Sequence, residues 1–251
     1  MGRILVETNT MPNNSSVLKE YYSCYLREVR GLSESSVKHY FDALNNISRR
    51  LKAKNLIKED IYEVGDLEEL DRLRTILYAD ADFVEANERG RRMYSAGLNN
   101  YYRFASGEEF QKAKDKIILL DIPIAPEKTL RIEHDTWKRS GIMREQAMEF
   151  AGYVCEINAA HESFIAAKNN KPYMEGHHAI PMHLQPRFQS GLDVYANIVC
   201  LCPVCHRRIH YGVADDKKQM MNQIYETRAD RLAHCGIELS KREFVELAQI
   251  V

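Results

Sequence analysis

Two adjacent histidines, His177 and His178, are followed by Asn197 and then by a Cys-x-x-Cys pair, Cys202 and Cys205, with His206 directly behind it. An imidazole can take a proton from water or offer a lone pair to a divalent cation, and thiolates at this spacing hold zinc. Hydrolysis of a phosphodiester needs a base to activate water and a cation to take up charge on the leaving oxygen. Two imidazoles at a strand end and a third on a helix supply both. A lone histidine is most often an ordinary polar residue, and His134, His183 and His234 are read that way because nothing reactive accompanies them.

The cysteines point to metal rather than to disulfides. Of six, Cys200, Cys202 and Cys205 crowd together, Cys155 stands apart, and Cys24 and Cys235 are isolated. A Cys-x-x-Cys followed by His in a chain with no secretory signature is more often a metal knuckle than a crosslink.

The order His-His, Asn, Cys-x-x-Cys-His resembles the HNH, or ββα-metal, family of nucleases. The segment from Cys155 through His161, with Tyr173-Met174-Glu175, is similar to the branch related to McrA-type restriction enzymes. The resemblance runs over residues 152–212. It implies that His177 is a ligand of the catalytic cation, that His178 is the general base, and that His206 is the second protein ligand. It also implies that Asn197 orients the loop between the two strands. Members of the family carry a second Cys-x-x-Cys before the first strand; here its second cysteine position is Asn158. His161 can complete a Cys155, His161, Cys202, Cys205 zinc set. Cys200 competes, but its apolar Ile-Val-Cys-Leu setting favours a core thiol. His210, four residues after His206 and hence on the same helix face, is left as ligand, phosphate contact or packing residue. Glu175 is left between ligating metal, steering an imidazole and standing in solvent.

These residues need elements to hold them. Val17 to Arg30 reads as a helix closed by Gly31, and Ser35 to Lys54 as a second with Val37, Tyr40, Phe41, Leu44, Ile47 and Leu51 on one face. Asp66 to Tyr78 and Arg91 to Phe104 continue the helical pattern. Nine of the 14 tyrosines fall in this part and read mainly as core and interface residues. The GLSESSVKHYFDAL stretch is similar to the helical core-binding domain of tyrosine recombinases, which implies a DNA-contacting module. Pro123 and Pro126 mark a linker. A helix from Trp137 to Phe150 leads into the nuclease segment, and two more, broken near Gly236 with Ser240 as cap, close the chain.

The expected fold is therefore α+β: a helical module over 1–121, a linker over 122–136, and a zinc-stabilised ββα-metal nuclease domain with C-terminal helices over 137–251. Net charge is −1, so no global field draws in a polyanion, and binding must rest on local patches. Arg49, Arg50 and Lys52 form one candidate against the plainer reading of a solvated face. Arg207 and Arg208 form another, where the scissile backbone passes.

No apolar run approaches the roughly 18 residues of a membrane span. The segment MGRILVETNTMPNNSS lacks the apolar core of a secretory signal, so a cytoplasmic protein is expected. The function expected is a metal-dependent HNH endonuclease, restriction or defence related, with structural Zn²⁺ and catalytic Mg²⁺ or Mn²⁺. It would act on double-stranded DNA and leave 5′-phosphate and 3′-hydroxyl ends. One active site per chain cutting two strands favours a homodimer. A zinc-stabilised DNA-binding protein without cleavage, and an RNA-directed nuclease, use most of the same residues.

Overall fold

The structure, a computed structural model, describes residues 16–110, 113–126, 128–130, 135–137 and 139–248. The reading of the N-terminal stretch before Ser16, the plain role given to His134, and parts of the 122–136 linker lie outside the described residues.

Helix α1 (Val17–Cys24) runs into a π-helical turn, Tyr25–Val29, closed by Arg30 N–H on the Tyr25 carbonyl and ended by Gly31 at φ +61°. The extra residue of a π turn rephases the side chains, and here Tyr25, Leu26 and Val29 all stay in the core. Helix α2 (Glu34–Ala53) is capped by Ser33, whose hydroxyl accepts from Ser36 N–H, and buries Val37, Leu44, Ile47 and Leu51. Helix α3 (Leu67–Ala79) is capped by Asp66. Sequence periodicity missed helix α4 (Ala81–Arg89), because it buries only Phe83 and Asn87 and shows no apolar stripe; Asp80 caps it through Asp82 and Phe83 N–H. Helix α5 (Met93–Ser106) crosses α2 so closely that a Cβ at Gly97 would sit 2.7 Å from that of Ala43. Tyrosine and phenylalanine rings fill the space between, with Tyr22 edge-on to Tyr101 at 5.1 Å and Tyr62 edge-on to Tyr101 at 5.3 Å.

A short helix α6 (Lys114–Ile117) and two short paired strands, β1 (Lys128–Leu130) and β2 (Asp135–Trp137), precede helix α7 (Gly141–Ala151). The helix expected from Trp137 thus starts later. Ser140 caps it through Met143 N–H, and the chain just before it is extended.

The ββα unit follows. Strand β3 (Glu175–His178) pairs antiparallel with β4 (Ile198–Leu201), in a register that sets His177 opposite Val199 and His178 opposite Ile198. Helix α8 (Pro203–Tyr211) starts on Cys202, with Pro203 in its first turn, where a missing N–H costs nothing. Helix α9 (Ala214–His234), Gly236 at φ +76° and helix α10 (Lys241–Ala248) close the fold. Ser240 and Glu243 satisfy each other's backbone N–H groups, so the N-cap expected at Ser240 is made reciprocal by Glu243.

The fold is mixed and mainly helical, with two small two-stranded sheets among the described residues. One hydrophobic core runs from Leu18 to Ala248. Tyr195, in the loop ahead of β4, packs on Tyr21 at 4.7 Å and Phe110 at 6.1 Å and donates to Gln146 of α7 at 2.6 Å. Buried Asp121 pairs with Arg231 of α9. The helices ahead of Asp121 are thus the bed on which the ββα loop is laid. Among the described residues no helix is long and apolar enough to cross a membrane.

Candidate active site

Strand β3 and helix α8 bring three imidazoles together. One ring nitrogen from each of His177, His206 and His210 lies within 4.8 Å of the others. Ring centroids are 5.3 Å apart for His177 and His206, 5.0 Å for His177 and His210, and 4.8 Å for His206 and His210. His206 and His210 stand one turn apart on α8 and face each other through their Nε2 atoms at 3.2 Å. The other nitrogen of His206, Nδ1, is held by Glu175 Oε2 from the start of β3. That carboxylate orients the ring and makes it a better donor. Burial, together with the neighbouring His206, His210 and His178, holds the His177 pKa down to about 3, so its lone pair stays available. Burial and then His206 also lower His210. Three imidazoles converging on one point, one of them steered by a carboxylate, suit a divalent cation.

His178, the next residue along β3, points elsewhere. Its Nε2 lies 2.8 Å from Asp193 Oδ1. An ionised Asp193 places the proton on Nε2 and leaves Nδ1 as the basic nitrogen. Asp193 is itself fixed: Oδ2 accepts from Ser140 N–H at 2.7 Å, and the preceding residue is clamped from both sides. Leu192 N–H donates to Gln185 Oε1 at 2.6 Å, while its carbonyl accepts from Asn197 Nδ2 at 2.9 Å. Asn197 is fully buried, and its remaining bonds go to Ile180 N–H and C=O at 2.7 and 2.9 Å. Its side chain is committed to loop backbone.

The second cluster contains Cys155, His161, Cys202 and Cys205, whose ligand atoms also lie within 4.8 Å of one another. Zinc held tetrahedrally at about 2.3 Å from sulfur spaces its ligands about 3.8 Å apart. His161 Nδ1 lies 3.3 Å from Cys205 Sγ and 3.7 Å from Cys202 Sγ. His161 reaches the cluster because Asn158 builds a turn, accepting from Ala160 N–H on its side chain and from His161 N–H on its carbonyl. Burial pushes the Cys155 thiol up, but N–H donors from Cys202, Asn158 and Ile157 and the His161 ring more than offset this and bring it to about 7. Cys205 is pushed the other way, to about 12, by burial and by the sulfurs beside it. Thiolates crowded this closely repel one another unless a cation lies between them, so the donor set fits zinc. Cys200 is apart from the four, buried in β4 with its pKa raised by burial.

The basic residues are less uniform. Arg207 lines the cleft beside Glu175 and His206, whereas Arg208 pairs with Asp216 at 3.2 Å. Of the α2 patch, Lys52 is bound to Asp60 at 2.9 Å, Arg50 bonds Asn46 and lies over Tyr94, and Arg49 is exposed. Lys54 is taken up by Asp80. That patch is largely occupied by its own neighbours.

Residues 155–212 match the HNH endonuclease family model. The chain carries an HNH endonuclease domain. The match starts at the first cysteine of the thiol cluster and ends just past α8, so both clusters of the HNH domain fall inside it. The chain is 28% identical over 108 residues to the type IV methyl-directed restriction enzyme EcoKMcrA of Escherichia coli (strain K12). That match covers 42% of this chain and 36% of the relative, so the chain spans only about a third of the length of the curated relative it matches. No solved structure matches.

Sequence reading did not single out Asp193, and left Glu175 and His210 open. The i, i+4 spacing was the available signal for His210. Asp193 carried none, because its role depends on how the 179–197 loop folds.

Proposed function

We propose that this chain is a metal-dependent HNH endonuclease that hydrolyses DNA phosphodiester bonds in restriction or defence, as a cytoplasmic enzyme on double-stranded DNA. The observation that carries the reading is the pairing of three converging imidazoles on one face of the ββα unit with a carboxylate-held imidazole at the adjacent strand position. His178 Nδ1 takes the proton of a water as its oxygen attacks phosphorus. The bond from phosphorus to the 3′ oxygen breaks, and that oxygen is protonated from solvent, leaving 5′-phosphate and 3′-hydroxyl ends. Asp193 keeps His178 in the tautomer this requires and stabilises the imidazolium that forms. His177, His206 and His210 would hold a divalent cation, Mg²⁺ or Mn²⁺, which would supply positive charge at the leaving oxygen. Arg207 and Arg208 bind flanking phosphates, with Arg49, Arg50 and Lys52 as a weaker outlying patch. Cys155, His161, Cys202 and Cys205 would hold Zn²⁺, which would serve a separate, structural task. Cutting both strands then calls for a homodimer or for two successive nicks.

The test is nicking of supercoiled plasmid, methylated and unmethylated, with Mg²⁺ or Mn²⁺ beside a sample in EDTA, followed by end mapping. Metal-dependent nicking with 5′-phosphate ends is expected. Protein that holds its zinc yet cuts neither plasmid would sink the reading, and cleavage of RNA alone would redirect it. A finer expectation concerns Glu175. Glu175→Gln keeps the shape but weakens the hold on His206, so nicking should fall about 10- to 100-fold and recover in part at high Mn²⁺. An unchanged metal titration would remove Glu175 from the site.

A further inference from the structure

An open cleft of about 380 Å³ lies beside the histidine cluster, with Glu175 and His206 at one end. Its wall includes Tyr173, and Tyr173 is stacked on Phe164 with ring centroids 4.8 Å apart and planes 13° from parallel. Phe164 is 64% exposed and Ile165 beside it 56%. These apolar side chains are held in place and are not on a loose end. Tyr173 N–H bonds the Phe164 carbonyl and Ala166 N–H the Lys171 carbonyl, closing a hairpin. Lys168 ties that hairpin to Glu68 of α3 at 2.7 Å, and Lys171 ties it to Glu149 of α7 and lies over the Tyr153 ring. The cleft borders Tyr173 but not Phe164, so Phe164 backs the tyrosine from outside.

Charge in the cleft selects its occupant. Arg144 and Arg207 have no carboxylate partner among the described residues, and the stem of Arg144 lies over β3 where a Cβ at Gly176 would come within 2.5 Å of it. The cleft also contains Glu145, which accepts from Tyr153 O–H at 2.7 Å, and Glu175, which accepts from Tyr173 O–H at 3.2 Å. Two carboxylates repel a phosphate but accept hydrogen bonds from the N–H edge of a base. An aromatic wall, carboxylate and amide groups inside, and two arginines suit a nucleobase whose phosphates lie near the arginines.

We propose that this cleft holds one nucleobase of the cut DNA strand, unstacked from its neighbours and laid against Tyr173, so that Tyr173 helps to set nucleotide preference beside the scissile phosphate. The inference deepens the endonuclease reading and rests on it. The probe is a single-stranded oligodeoxynucleotide carrying one 2-aminopurine, titrated without added divalent metal into the full chain. Stacking on tyrosine quenches that base. The native protein should quench it, Tyr173→Ala should weaken binding on the order of tenfold, and Tyr173→Phe should retain the quench, having lost only the hydroxyl to Glu175. Phe164→Ala, at an exposed position, should fall between them and guards against a folding defect in Tyr173→Ala. No quench by native protein, or equal quench by Tyr173→Ala with zinc content intact, would overturn the proposal. Plasmid nicking measured in parallel reports on the nuclease reading separately, since a chain that nicks without quenching refutes only the base site.

Discussion

His178→Ala is expected to lower metal-dependent DNA cleavage by about 10² to 10⁴-fold while leaving bound zinc and the melting temperature nearly unchanged. The size of the loss follows from what the imidazole does. Water at neutral pH is a poor nucleophile, and a positioned base removes its proton as the bond to phosphorus forms. The small effect on folding follows from where the ring sits. His178 is at the end of β3, partly open to solvent, and among the described residues its ring is hydrogen-bonded to Asp193 alone. Truncation therefore releases a carboxylate that keeps Ser140 N–H as a partner. Initial rates of plasmid nicking, set beside zinc content and thermal unfolding, check both halves. Near-native cleavage by the alanine variant would mean that another group activates water.

Cys202→Ser should strip the protein of zinc and unfold the ββα unit at temperatures where the native chain is folded. Structural zinc contributes apparent free energies of about 10 to 16 kcal/mol in small finger peptides. Even a fraction of that rivals the roughly 5 to 15 kcal/mol by which whole domains are stable. Cys202 has a second task, because its sulfur accepts the Cys205 N–H at 3.4 Å and caps α8. Serine can keep the cap and loses the thiolate, so the variant isolates the metal contribution. Elemental analysis and calorimetry are the measurements. Native protein without zinc, or a serine variant of unchanged stability, would leave the four residues as a thiol-rich core. His161→Ala separates the fourth position: full zinc retention there would move the ligand role to another residue.

Much of the site was legible because its chemistry lies in short spacings. Cys202, Cys205 and His206 are neighbours in sequence, and His177 with His178 occupy one strand end, so local geometry nearly dictates who meets whom. His161 was readable only through a departure from the family pattern at Asn158, where the turn it builds replaces a cysteine. Asp193 was not readable. Its position depends on Gln185 and Asn197 gripping Leu192 within the loop and on Ser140 N–H reaching it from far along the chain, an arrangement that no spacing encodes. In the fold, helices with an apolar stripe, α2 and α3, were legible, and α4 was hidden because capping by Asp80 and the single anchor Phe83 define it. Pro123 and Pro126 were read as a linker, and Tyr195 against Tyr21 and Arg231 against Asp121 are contacts made across it that the sequence did not announce. Such contacts between distant segments leave no periodic trace.

Cys205 and His206 are consecutive residues on the first turn of α8, one facing the thiol cluster and the other the imidazole cluster. The two clusters are therefore geared together like two cams on one shaft. Each helical residue advances the azimuth by about 100°, so a single insertion or deletion between them would leave the thiol in place and swing the imidazole out of reach. Loops elsewhere in the chain can lengthen or shrink over evolutionary time, while this junction has no slack.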